Sequence, residues 1–270
     1  MSAAVDPQTM QTASGTQLVL RSAQGFDELE ACVRLQIETW GYDETDVIPR
    51  RLFTVAQRIG GQAIGAFEGP RMVGMAMSLP GVKAPKADGT LPAPYLHSHM
   101  LAVSPGHRNL GIGRRLKLYQ REEALSRGIG LMEWTFDPLE IKNAFLNIHR
   151  LGVIVRSYTP NFYGVSSSRL QGGLPTDRLH AEWWMESERV KAILHGTPTQ
   201  PQEIQETIQV PKAISEWKAS SVPEAEAVQA ENRRRFLDAF ARGLAVVGFR
   251  VDAEGNGIYE LARTQTTGVL

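Results

Sequence analysis

The sequence predicts a mixed α/β protein of the α+β kind, and three observations predict it. Strand-like and helix-like segments follow one another along 270 residues, with no internal repeat. Glu68-Gly69-Pro70-Arg71 is turn chemistry between two short apolar runs, the pattern of an antiparallel hairpin. A segment of alternating character ending at Val103 passes through a glycine-containing loop directly into a helical pattern.

Taken in order, residues 1–16 are small and polar without periodicity and are expected to form a disordered tail. Gln17 to Ala23 reads as a first strand through Leu18 and Leu20. From Gly25 to Trp40, the residues Phe26, Leu29, Cys32, Val33, Gln36 and Ile37 recur at helical intervals, and a second helix is expected over Arg50–Ile59. Gln62–Phe67 and Met72–Leu79 are the strands of the hairpin, and a loop with four prolines, Pro80 to Pro94, leads to the strand ending at Val103. The helix that begins near Gly111 runs to Arg127 and stops at Gly128.

Leu131–Phe136 is the next strand. Asp137-Pro138-Leu139-Glu140 reads as a helix start with an N-cap aspartate, a first-turn proline and a capping-box glutamate. Ile141, Ala144, Phe145, Ile148 and Leu151 then mark one buried helix face. Arg178–Ser187 is expected to be a strand containing Trp183 and Trp184, and Gly196–Glu203 reads as a linker. A helix from Ser221 to Gly243 carries Arg233-Arg234-Arg235, read as a solvated face, and Leu244–Val251 and Ile258–Ala262 read as a closing hairpin.

Composition narrows the function. Lys+Arg and Asp+Glu are equal at 29 each, so no global field favours nucleic acid or an anionic membrane. The single cysteine, Cys32, allows no internal disulfide and sits among apolar neighbours, as a buried structural thiol does. With no bilayer-length apolar run and no basic-then-apolar leader, a cytoplasmic protein is expected.

The chemistry gathers at Leu96-His97-Ser98-His99-Met100-Leu101-Ala102-Val103 and the loop after it. Free backbone N–H groups at a helix N-terminus hold phosphate, and glycines let the anion approach. The spacing is neither that of a P-loop nor that of a dinucleotide fingerprint; it is Arg108-x-x-Gly111-x-Gly113. That motif resembles the pyrophosphate loop of the GNAT superfamily of acyl-CoA-dependent N-acyltransferases, a resemblance that covers about Gln17 to Gly164. Asn143-Ala144-Phe145-Leu146-Asn147-Ile148-His149-Arg150-Leu151-Gly152 resembles the second signature of that superfamily, with Ile148 where many members carry a tyrosine.

The resemblance implies a largely antiparallel central sheet flanked by helices; the acyltransferase domain is expected over residues 17–195, with 196–270 as an α/β extension packing on or completing it. It implies acetyl-CoA or another acyl-CoA as co-substrate, its pyrophosphate on Arg108, Asn109, Leu110, Gly111, Ile112 and Gly113. Its pantetheine arm would pair with Leu101, Ala102 and Val103, and Asn143 would also contact the cofactor.

His97 and His99 stand two apart on a strand, so their rings should share a face about 7 Å apart. An imidazole with an ordinary pKa of about 6.5 suits accepting a proton from an ammonium acceptor near neutral pH. The run resembles the strand of arylalkylamine N-acetyltransferases in which paired histidines carry protons through water. Tyr163 and then Tyr158 are the candidate acids for the leaving thiolate. No third ligand has metal-site spacing, so no metal is expected. The expected function is acyl transfer, acetyl above all, to a small primary amine or amino acid. A non-catalytic acyl-CoA sensor and a protein lysine acyltransferase are the alternatives, and a homodimer is compatible with all three.

Overall fold

The computed structural model describes residues 5–12, 15–85 and 87–264. It is a mixed α/β structure that divides into two compact units, the first ending at Glu133 and the second beginning at Trp134.

In the first unit, β1 (Gln8–Gln11), β2 (Gln17–Ser22), β3 (Gln62–Glu68), β4 (Arg71–Gly81) and β5 (Tyr95–Val103) pair antiparallel in chain order. β6 (Leu131–Phe136) joins β5 in parallel through Leu96↔Met132 and His97↔Glu133. Both faces of this sheet are covered, which is why every residue of β3 from Gln62 to Phe67 is buried. On one face α1 (Gly25–Trp40) and α2 (Arg50–Arg58) bring Leu29, Cys32, Leu35, Phe53 and Ala56 onto Phe67, Met75, Met77, Met100 and Ala102. On the other, α3 (Ile112–Ser126) brings Ile112, Leu116 and Tyr119 onto Leu18, Leu20, Ile64, Ala66 and Ala76. A Cβ at Gly74 would lie 3.2 Å from both Ile112 and Leu116, so the absence of a side chain there lets the first turn of α3 settle on β4.

Several expectations change here. Gln8–Gln11 is a strand rather than part of a disordered tail, because Met10 pairs with Leu18 and is buried, and the hydroxyl of Tyr119 donates to the Val5 carbonyl. Residues 1–4 and 13–14 of that expectation lie outside the described residues. In α1 the buried residues are Leu29, Cys32, Leu35 and Gln36, whereas Phe26 and Ile37 face solvent. Gln36 earns its burial by bonding the backbone of Ile48 through both ends of its amide. Cys32 is the buried thiol expected, 3.7 Å from the Met72 sulfur, and burial pushes its pKa up to about 12.

In the second unit the sheet order is β8 (Arg178–Trp184), β7 (Ile154–Thr159), β10 (Ala245–Val251), β11 (Gly257–Ala262) and β9 (Glu206–Val210). Residues beyond 196 therefore supply three strands to the same sheet as β7 and β8, and the break between compact units falls at Glu133 rather than near 195. α7 (Val222–Ala241) packs on this sheet through Phe236, which stacks on Tyr158 and meets Tyr259 edge-on.

Asp137 is not a helix cap. α4 (Ile141–Ala144) starts later, so Asp137 Oδ1 accepts from Leu139 N at 2.8 Å as an Asx turn, and Oδ2 pairs with the buried Lys218 at 3.0 Å. After α4 the chain continues as a π-helix, Phe145–Arg150, which shifts the expected face. Ala144, Ile148 and Leu151 are buried as the spacing requires, Ile141 and Phe145 only partly, and Asn147 is buried beside them. The arginine run is not wholly solvated either. Arg233 pairs through Nε and Nη2 with the fully buried Asp177 at 2.8 and 3.0 Å, Arg235 pairs with Glu206, and Arg234 with Glu231.

Candidate active site

β5 is buried at every second residue, leaving Tyr95, His97, His99, Leu101 and Val103 half-buried. Its ladder to β4 is irregular at one place. Met77 opposes Met100 and Ser78 opposes Ser98, so His99 is an extra residue in a bulge, a feature that strand alternation alone could not reveal. The rings of His97 and His99 meet at 5.8 Å between centroids, tilted by 42°. Burial lowers the pKa of His99, keeping its imidazole neutral and able to accept a proton.

The ladder to β6 consists of the pairs at Leu96 and His97, while Leu101, Ala102 and Val103 pair with β4 through Ala76, Met75 and Gly74. In a strand, backbone groups alternate in direction, so half of those beyond His97 point away from β4.

The loop after β5 is built tightly. Ser104 N donates to the Val73 carbonyl, and a 3-10 turn, Pro105–His107, follows. The His107 ring holds that turn, with Nδ1 2.8 Å from Ser104 Oγ and Nε2 3.2 Å from Glu68 Oε2. Asn109 and Gly111 both have positive φ, 62° and 79°, a conformation that asparagine tolerates and glycine adopts freely. Gly111 is the N-cap of α3, and no side chain caps the helix there. The first N–H groups of α3, from Ile112 to Arg114, have no carbonyl a turn earlier within the helix to bond. Nothing lies within 4 Å of a Cβ built on Gly111. An uncapped helix N-terminus facing open space suits an anion. The guanidinium of Arg108 is exposed and donates to the Thr39 carbonyl at 3.2 Å, which places its charge at the C-terminal end of α1.

Beneath β5 runs a buried polar chain that the sequence did not disclose. Lys117 Nζ, on α3, donates to Ser98 Oγ at 2.6 Å, and Ser98 Oγ donates to Gln120 Oε1 at 3.0 Å. Gln62 Nε2 reaches the Gln120 carbonyl at 2.9 Å, and Ser78 Oγ donates to Gln62 Oε1 at 2.9 Å. The alternation of β5 marks Ser98 as inward-facing; a lysine on the apolar side of α3 gives no such signal. Lys117 is fully buried, and desolvation drives its pKa well below the ordinary value. Between that depressed value and about 10.4 the unfolded chain holds a proton that the folded chain lacks, so stability should rise with pH by up to about 1.4 kcal/mol per unit. Lys117→Met is expected to flatten that slope without loss of fold. Urea unfolding from pH 7 to 9 checks it, and an unchanged slope would contradict a neutral native lysine.

The remaining candidates lie in the second unit. Tyr163 is exposed and its hydroxyl is 2.9 Å from Thr135 Oγ1. Tyr158 is buried, and its hydroxyl donates to the Asp177 carboxylate that Arg233 also holds; burial first, and then the bond to Asp177, raises its pKa. Asn143 is exposed on α4 and accepts from Asn147 Nδ2 at 3.3 Å. Ile148 is wholly buried. Among the described residues no group of three or more His, Cys, Asp or Glu is placed to hold a metal ion, and no helix is long and apolar enough to cross a membrane.

Residues 29–146 match the family model described as the acetyltransferase (GNAT) family. No curated protein matches the chain. Among solved structures, yncA of Salmonella typhimurium, with its cofactor acetyl-CoA, is 16% identical, aligned over 63% of this chain and 95% of its own, with a TM-score of 0.49. The ribosomal-protein-S18-alanine N-acetyltransferase of Escherichia coli is 15% identical over 63% of this chain and 97% of its own, at 0.46. FeeM, an N-acyl amino acid synthase from uncultured soil microbes, is 13% identical over 70% of this chain and 99% of its own, at 0.47. The family match runs from α1 through the β5 loop and α3 into α4, so over residues 29–146 this chain is similar to the GNAT acetyltransferase family.

Proposed function

We propose that the chain transfers an acyl group, acetyl by first choice, from acyl-CoA to a small primary amine or amino acid. The observation that carries the reading is the uncapped N-terminus of α3, opening at Gly111 directly after the strand that bears His97 and His99. In this reading the amides of residues 109–113 hold the pyrophosphate, and the free edge of Leu101–Val103 takes the pantetheine amides. Arg108 adds positive charge near the loop, and Asn143 adds a cofactor contact. His99, kept neutral by burial, takes the ammonium proton with His97, directly or through water. The amine lone pair then attacks the thioester carbonyl and the thiolate leaves.

For that thiolate, Tyr163 ranks ahead of Tyr158, whose hydroxyl is committed to Asp177. A thiol of pKa about 8.5 needs little acid assistance at neutral pH, so water suffices. Tyr163→Phe is therefore expected to cost less than about tenfold in kcat, and a loss of 10²–10⁴ would instead identify the general acid. Tyr158→Phe should act on stability, by about 1–3 kcal/mol, because the buried Asp177 carboxylate loses a donor; a kcat loss without destabilisation would reverse the ranking.

The buried Ile148 and the sealed Tyr158 hydroxyl favour a second reading, an acyl-CoA sensor without turnover. Thiol release from a panel of acyl-CoAs against amines, amino acids and a lysine peptide separates them. Release that depends on a small amine supports transfer. Tight acyl-CoA binding with no amine-dependent release supports the sensor, and activity confined to the peptide makes the protein a lysine acyltransferase.

A further inference from the structure

A cavity of about 410 Å³ opens in the second unit, and its lining comes wholly from residues 154–264. Ile154, Ala192 and Val247 give it apolar walls, and Thr197, Thr199 and Gln200 give it uncharged hydrogen-bonding groups. Among the described residues its one cation is Arg189, in the first turn of α5 (Glu188–His195).

The surroundings of Arg189 are unusual for a largely buried guanidinium. Nε donates to the Gly152 carbonyl at 3.2 Å and Nη2 to the Val247 carbonyl at 2.5 Å. These bonds fix the orientation of the fork and use two of its five N–H groups. Among the described residues no carboxylate pairs with it; the neighbouring Glu188, which also lines the cavity, is turned outward to Lys191 at 3.0 Å. Elsewhere in the unit Arg156, Arg233, Arg235 and Arg242 all have acidic partners. Burial pushes the pKa of Arg189 down, as expected of a desolvated charge lacking a counter-charge. Such a charge is unfavourable unless something supplies the opposite sign.

We propose that this cavity binds a small carboxylate-bearing molecule, its carboxylate seated on the free edge of the Arg189 guanidinium. A planar carboxylate matches the planar fork in a bidentate pair. Phosphate fits less well, because the lining offers no second cation among the described residues and the α5 N-terminus is already capped by Ser187 Oγ, which accepts from Val190 N. The volume suits a molecule of amino-acid or dicarboxylic-acid size.

The test is calorimetric titration of the whole protein, with acetyl-CoA saturating so that the α3 loop is not an alternative anion site. The probes are formate, succinate and benzoate, the neutral amides succinamide and benzamide, and inorganic phosphate. At least one carboxylate should bind saturably and at least tenfold more tightly than its amide or phosphate. Ala192→Trp, which fills the cavity, and Arg189→Lys, which keeps a charge but loses the fork, should each weaken it at least tenfold with circular dichroism unchanged. Arg189→Met is the poorer variant, since it also releases the Gly152 and Val247 carbonyls. No saturable carboxylate binding, equal binding of acid and amide, preference for phosphate, or full affinity in a folded Ala192→Trp protein would each overturn the proposal.

Discussion

Gly111→Val is expected to weaken acetyl-CoA binding by at least a hundredfold while leaving the protein folded. The glycine sits at φ 79°, so any side chain there costs about 1–2 kcal/mol of backbone strain. Nothing lies within 4 Å of the added Cβ, so strain is the whole structural cost and the fold should tolerate it. For the ligand the cost is larger. The open space over Gly111 is where an anion would meet the amides at the start of α3, and hydrogen bonds to a charged group contribute about 1.5–3 kcal/mol each. Losing two of them exceeds the 2.8 kcal/mol or so that corresponds to a hundredfold. Calorimetry alongside thermal unfolding reads both effects, and unchanged affinity in a folded variant would remove the loop from the cofactor site.

The paired variant His97→Ala/His99→Ala is expected to lower kcat by 10²–10⁴ at pH 7 and to regain part of it above about pH 9, where amines lose their protons unaided. In the wild type, His99 is neutral at pH 7 because burial lowers its pKa, so activity should fall only as pH drops below about 6.5. Stability follows the same sign. Below about 6.5 the unfolded chain takes up a proton that the folded chain refuses, so the folded state loses ground as pH falls toward the native pKa. A pH–rate profile identical to wild type would leave the two rings as packing, with no part in proton transfer.

Much of the fold was legible because local and tertiary signals agreed. The β3–β4 hairpin, the glycine stop after α3, and the closing hairpin of β10 and β11 all lie where turn residues and periodicity place them. The candidate site was legible where it depends on the backbone: glycines at fixed spacing mark the turn that opens α3, and alternation puts His97 and His99 near one another. What stayed hidden depends on partners distant in sequence. The bulge at His99 exists only against β4, and Lys117 is placed by Ser98 and Gln120 rather than by its own neighbours. Asp137 looked like a cap because its local chemistry is that of one, but the helix starts four residues on and Lys218, 81 residues away, takes the carboxylate. β1 escaped notice because three polar residues around a single methionine carry no period, and their order comes from pairing with β2.

The central claim is that the backbone amides opening α3 hold acyl-CoA. Amide hydrogen exchange of the wild-type protein, resolved at single residues and measured with and without saturating acetyl-CoA, tests it without any substitution. Exchange should slow at Asn109 to Gly113 and at Leu101 to Val103 when acetyl-CoA is bound. Acetyl-CoA binding that leaves these amides exchanging at their free rates, with protection elsewhere, would contradict it.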